Sequence, residues 1–375
     1  MIVLNRYALK NEYYLLKLVG LVLALNVVLI LGWSREHLAQ PIDNVTITNT
    51  YKDGEATEKD ITDDISGLYF VEQTLQYKIL TPNASGSSIP SDNQVVVNGY
   101  VAFERIFIAG GLSFSSNSEN NKVILNNSAN ITGYVYGGYG NEKAYNNTVV
   151  INTTNRVNAY FDREVSNEDI FNGGQVVGGF SSSGLVEKNE VNFINGSANE
   201  IIGGLIVGGT ARYNNVIING TSVTNEIGIT NIIGSNNGIY GSYIINDGNS
   251  TGNNVTFQNS NASSAVYGSY IGKNGNLIGN SVISFQNSNT SNYIYGSYIS
   301  ESGNSSGNSV IFQNSTVNFK AVSSFVTIGN STDNKVTFFQ NSNAIVVGGS
   351  FVINGNSTNN SVIFQDSTGW SVEYC

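Results

Sequence analysis

The chain of 375 residues contains one cysteine, one histidine and three prolines, and charged side chains make up only 12% of it. Each shortage excludes something. The cysteine is Cys375, so neither a disulfide framework nor a cysteine-based metal site forms within these residues. The histidine is His37, which leaves the remainder without the imidazole that Ser–His, Cys–His and zinc-hydrolase constellations need. Pro41, Pro82 and Pro90 all precede residue 93. Strands paired on both sides cannot lose a ladder N–H, and the proline-free stretch fits that requirement. The formal charge is −10, and an acidic surface repels phosphate backbones, so no nucleic-acid partner is expected. From Tyr213 onward the only acids are Glu226, Asp247, Glu301, Asp333, Asp366 and Glu373, at unrelated places in the sequence pattern. Glycoside hydrolysis needs two carboxylates flanking one bond. The expectation is a non-enzymatic chain with no catalytic residue, no cofactor and no metal.

What the chain has in abundance is one repeated phrase: an Asn, then alternating apolar residues, then a polar bracket. It reads NNVTFQNS from Asn253, NSVISFQNS from Asn280, NSVIFQNS from Asn308, NKVTFFQNS from Asn334 and NSVIFQDS from Asn360. Looser copies begin at Asn93, Asn121, Asn147, Asn189 and Asn214. The steps between these leading residues are 28, 26, 42, 25, 39, 27, 28, 26 and 26. A period in this range signals an array of stacked units. A second patch follows each phrase, as in VYGGY (Val135–Tyr139), VVGGF (Val176–Phe180), IYGSY (Ile239–Tyr243), VYGSY (Val266–Tyr270) and VVGGS (Val346–Ser350). Both patches are short and rich in β-branched and aromatic residues, which reads as strand. The Asn, Ser, Gly and Thr between them are turn residues.

These features predict an all-β fold, a single-stranded parallel β-helix of about ten coils over residues 93–375, with about 26–28 residues per coil and two longer repeats from Asn147 and Asn214. One coil cannot bury enough apolar surface to fold alone, so stability must come from its neighbours. Stacking predicts an inner ladder of Phe257, Phe285, Phe312, Phe339 and Phe364. A row of Gln258, Gln286, Gln313, Gln340 and Gln365 should follow it, then Asn259, Asn287, Asn314, Asn341 and Asp366. Ser284 and Phe338 read as single-residue bulges before the phenylalanine.

Residues 1–34 differ from the rest. Arg6, Lys10 and Lys17 precede an uncharged run, Leu18–Trp33, with the n-region and h-region of a secretory signal peptide. Residues 35–92 lack the repeat and are expected to act as an N-terminal cap and lead-in segment.

The signal followed by an Asn/Gly/Ser-rich array, with wording such as VYGGY…NNTVVI and NNVTFQNS, resembles the passenger domains of Gram-negative autotransporters. The resemblance covers residues 93–375 and carries no active-site motif. It implies export to the outer-membrane surface or release as an extracellular protein, with adhesion or self-association as the role. The partners it implies are a host-cell surface or identical chains. Autotransporters carry a C-terminal β-barrel that this sequence does not show, and a truncated product held in the periplasm is the corresponding expectation. A toxin-like passenger and a β-helical polysaccharide lyase or hydrolase stand as alternatives. The two stretched repeats add residues that a coil core cannot absorb, and they are expected to project as loops at Val157–Asn172 and Thr221–Asn237. Tyr160, Phe161, Arg163 and Phe171 in the first are the candidate partner-binding residues, because Tyr and Arg are enriched in binding hot spots.

Overall fold

The turn that follows Asn253 shows how the phrase folds. Strand Asn254–Gln258 alternates, with Val255 and Phe257 fully buried and Asn254, Thr256 and Gln258 on the outer face. Asn259 turns the corner with φ 50°, a left-handed conformation that Asn tolerates better than most residues. The short strand Asn261–Ala262 follows, then Ala265–Ile271 with its VYGSY patch, then Gly275–Ile278. Gly279, at φ 54°, turns the chain into Asn280 and the next turn. Every strand of this turn pairs in parallel with its counterpart one repeat later.

Repetition of this unit builds a parallel β-solenoid of about eight turns, with no helix among the described residues. The sequence reading expects about ten coils, and the structure shows about eight turns. A computed structural model describes residues 89–372 apart from 98–100, 114, 128, 163–169, 199, 220–222, 225–237, 263–264 and 291, together with five short strands upstream. Residues 1–34, expected as a signal peptide, lie outside the described residues. Four of the upstream strands continue the parallel stacking: Asn44–Ile47 lies against Gln94–Val97, and Tyr51–Lys52, Lys78–Leu80 and Ala84–Ser85 lie against successive parts of Val101–Ser113.

The interior has two apolar lobes. The larger contains Val255, Phe257, Val310 and Phe312, and the smaller contains Ile244, Ile271, Leu277 and Ile299. Between them runs a column of buried asparagines, the leading residues of the phrase. Each side-chain amide donates to the Oδ1 of the next: Asn93 to Asn121 at 2.7 Å, Asn121 to Asn147 at 3.0 Å, Asn147 to Asn189 at 3.0 Å and Asn189 to Asn214 at 3.0 Å. The same bond links Asn214 to Asn253, Asn253 to Asn280, Asn308 to Asn334 and Asn334 to Asn360, whereas at Asn280 the backbone N–H donates to Asn308 Oδ1 and the side-chain amide donates to the Ser250 carbonyl. The residue before each of them is at positive φ, whether Asp92, Lys188, Tyr213, Gly252 or Asn359. The second glycine of four Gly-Gly pairs, Gly111, Gly138, Gly179 and Gly204, makes room for this column. A Cβ on Gly138 would lie 2.4 Å from the Asn147 amide, and one on Gly204 would lie 2.6 Å from that of Asn214. In later turns Ser242, Ser269 and Ser297 take the same place and bond to other buried hydroxyls, Ser242 to Ser250 at 3.0 Å and Ser297 to Ser305 at 2.7 Å.

Two sequence expectations shift by one residue. Phe338, not Phe339, joins the inner ladder, stacking on Phe312 at 4.7 Å and on Phe364 at 5.0 Å. Phe339 falls instead in the outer row between Gln313 and Gln365. Alternation counted from the buried Asn334 fixes this register. The extra residue is taken up after the strand, where Gln340 and Asn341 both adopt left-handed φ of 49° and 61°. In the repeat from Asn280 the irregularity lies between Ser281 and Ile283, and Ser284 pairs normally with Ile311. The VVGGS patch is likewise offset: Val347, not Val346, aligns with Ala321 and Ile294, so that Ser350 meets Ser324 and Ser297.

Candidate binding site at the insertion corner

Both stretched repeats leave the wall at the same corner, between the short strand and the strand carrying the Gly-Gly or Gly-Ser bend. In the first, Val157 is still fully buried in the core, in register with Ile131 and Ala198. The excursion therefore starts at Ala159 and not at Val157. It is a β-hairpin rather than an open loop: Thr148–Asp162 turns back through Ile170–Gly173, pairing Tyr160 with Asn172 and Phe161 with Phe171. Arg163 lies outside the described residues, as do Glu164, Glu168 and Asp169. In the second stretched repeat Val223 and Thr224 remain in the wall, paired with Asn261 and Ala262, and the chain rejoins at Gly238. Residues 225–237 lie outside the described residues. One ordinary turn separates the two insertions, and its strand Glu200–Ile206 begins at this corner.

Glu200 is the chemically distinctive residue there. Alternation puts its side chain on the outer face, opposite Ile201, yet it is only 8% exposed. Burial pushes its carboxyl up to about 8, against an opposing hydrogen bond from Gln175. At neutral pH it is thus largely protonated. Gln175 donates through Nε2 to Glu200 and accepts through Oε1 from the Tyr136 hydroxyl at 3.1 Å. Burial also raises Tyr136 and Tyr240 above the ordinary phenol range, with Glu200 adding to both. The result is a neutral polar chain, Tyr136–Gln175–Glu200, set among Phe107, Val177, Ile202 and Tyr240. It can anchor and orient a polar group. Among the described residues no group of three His, Cys, Asp or Glu side chains converges on one point.

The sequence reading missed Glu200, since strand alternation sends such a residue to solvent. It also missed a small charged and aromatic stripe on the neighbouring face. There Lys143 lies 4.3 Å from the Tyr145 ring centre, Lys188 donates to the Tyr145 hydroxyl at 3.3 Å, and Arg212 pairs with Glu187 at 3.0 Å. Partly exposed pairs of this kind contribute little stability. On the outer side of the Gly-Ser bend, aromatic rows stack along the axis: Tyr240 on Tyr267 on Tyr295, and Tyr270 on Tyr298 on Phe325 on Phe351. The recurrent Y-G-S-Y wording was the signal for these rows.

No family model, curated protein or solved structure matches this chain.

Proposed function

We propose that this chain is the β-helical passenger region of an exported, non-enzymatic surface protein that works by adhesion or self-association. The observation that carries this reading is the common exit of the two insertions. A rigid wall holds them at one corner, with a single ordinary turn between. Loops on a rigid scaffold are where recognition concentrates. The autotransporter-like wording of the sequence supports the same reading, and the solenoid is the fold that such passengers require.

The test uses two deletions that the register makes conservative. Removing 159–174 joins Asn158 to Gln175, reproducing the one-residue connection Ala198–Asn199–Glu200 of the next turn. Removing 227–237 leaves the two-residue connection found between Ala262 and Ala265. The purified full-length chain should bind cell surfaces or sediment as an oligomer, and the doubly deleted chain should lose that property while keeping its β circular dichroism. Undiminished binding by the deleted, folded chain would overturn the assignment to this corner.

A further inference from the structure

The outer face of the later turns carries a second feature, remote in sequence from the insertions. Gln286, Asn287, Gln313, Asn314, Gln340 and Asn341 line an open groove that runs along the solenoid axis across three turns. Parallel rungs repeat every ~4.8 Å, so the groove presents amides at a constant interval. Part of their capacity is used between rungs: Asn314 donates to Asn287 at 2.7 Å, and Gln313 donates to Gln340 at 2.8 Å. A primary amide has two N–H donors and two acceptor lone pairs. Rung-to-rung bonding therefore leaves donors and acceptors alternating along the groove. Phe339 does not line the groove but precedes Gln340, which does. It occupies the glutamine row between Gln313 and Gln365 and is half-buried on the outer face.

We infer that this groove binds a neutral, polyhydroxylated chain, a glycan lying parallel to the solenoid axis. Hydroxyls both donate and accept, which matches the mixed capacity of amides. The rung interval is close to the length of one extended sugar unit, so successive sugars meet equivalent amides. The apolar face of a sugar ring packs on an aromatic face such as that of Phe339. Small-molecule sites combine such a surface with a few placed polar groups. Charge selects against anionic glycans: the chain carries −10, and the groove lining itself is uncharged.

The experiment titrates the full chain with cellohexaose, maltohexaose and chitohexaose, and with heparin as the anionic comparison. Saturable binding of at least one neutral hexasaccharide is expected, with heparin inactive. Phe339→Ala and Gln313→Ala should each weaken it about 3–10-fold, the size of one lost hydrogen bond or ring contact. Both variants should keep the parent's circular dichroism. Gln340→Gly, at an exposed position whose φ of 49° glycine accepts, repeats the test if Phe339→Ala fails to fold. Deleting 159–174 and 227–237 should leave the affinity unchanged, which separates this site from the insertion corner. Binding of heparin alone, no binding of any neutral hexasaccharide, or affinity indifferent to all three substitutions would overturn the inference.

Discussion

Asn308 and Asn314 lie in the same turn, carry the same side chain and sit in parallel columns, yet they belong to different chemical worlds. Asn308 is fully buried. Its Nδ2 reaches Asn334 at 2.9 Å, Ser305 at 2.8 Å and the Leu277 carbonyl at 3.2 Å, and its Oδ1 accepts from the Asn280 backbone at 2.8 Å. Asn314 is exposed and donates to Asn287. Buried amides are costly unless they are paired, and here every rung is paired by its neighbours. The inner column therefore locks register, since a turn that slips loses several bonds at once. The outer column answers to water and is available to a ligand.

The comparison breaks most visibly at Asn308→Ala. That substitution orphans the Asn280 N–H and the Leu277 carbonyl and withdraws the side-chain donor to Asn334. At about 1–3 kcal/mol for each unsatisfied buried group, the loss should reach about 3–5 kcal/mol. Phe312→Ala, four residues on in the same inner face, should cost a similar ~3–5 kcal/mol for a different reason, the cavity left beneath Phe338. Denaturant melts of the two variants would show this parity, and an Asn308→Ala loss below 1 kcal/mol would remove the locking role.

Gly179→Ala probes the same column from the opposite wall. The new Cβ would sit 2.3 Å from the Asn189 amide, so either the amide or the strand must move. Overpacking of this kind costs about 3 kcal/mol at the upper end of its usual range. The expected result is a lowered melting temperature and faster amide hydrogen exchange in strands Gln175–Ser181 and Glu190–Ala198.

The contrast also shows what could be read from sequence. The period, the strand alternation and the inward Phe257 and Phe312 were legible, because spacing alone determines them. The leading asparagines were legible as markers but not as core, since Asn is ordinarily an exposed turn residue. Phe339 was misplaced because the wording F-Q-N competes with the count from Asn334. The structure follows the count, and the corner absorbs the difference with a second left-handed residue. The insertions were legible as surplus length, but the hairpin geometry of Ala159–Gly173 was not. Glu200 was invisible for the opposite reason: the alternation is right, and its burial arises from packing at the corner, which no local pattern encodes.

Glu200 is a buried polar group held by fewer bonds than the inner asparagines, and its effect should depend on pH. Its folded-state value of about 8 exceeds the ordinary 4.5. Below about 4.5 both folded and unfolded chains carry the proton, and it contributes no penalty. Between about 4.5 and 8 the folded chain retains a proton that the unfolded chain has lost. Stability therefore falls as pH rises through that window, by at most about 1.4 kcal/mol per unit. Glu200→Gln keeps an amide partner for Gln175 and removes the titration. It should gain about 3–4 kcal/mol on the parent between pH 5 and pH 8, measured as the difference between paired urea melts. Parallel pH profiles for the two proteins would mean that Glu200 ionises freely.

The smallest effect belongs to the outer column. Asn287 accepts from Asn314 at 2.7 Å and donates to Asn259 at 3.2 Å, but it is exposed, and water replaces both partners at little cost. What the position does demand is its backbone, at φ 50°. Asn287→Gly meets that demand and deletes the amide, so it should change stability by no more than about 0.5 kcal/mol. Asn287→Ala also deletes the amide but places a Cβ in the left-handed region, and it should cost about 1 kcal/mol. A larger loss for Ala than for Gly would show that the outer asparagine is there for the turn. If Asn287→Gly proved as damaging as Asn308→Ala, the outer amides would be structural too, and the division between a locking column and a ligand-facing one would fail.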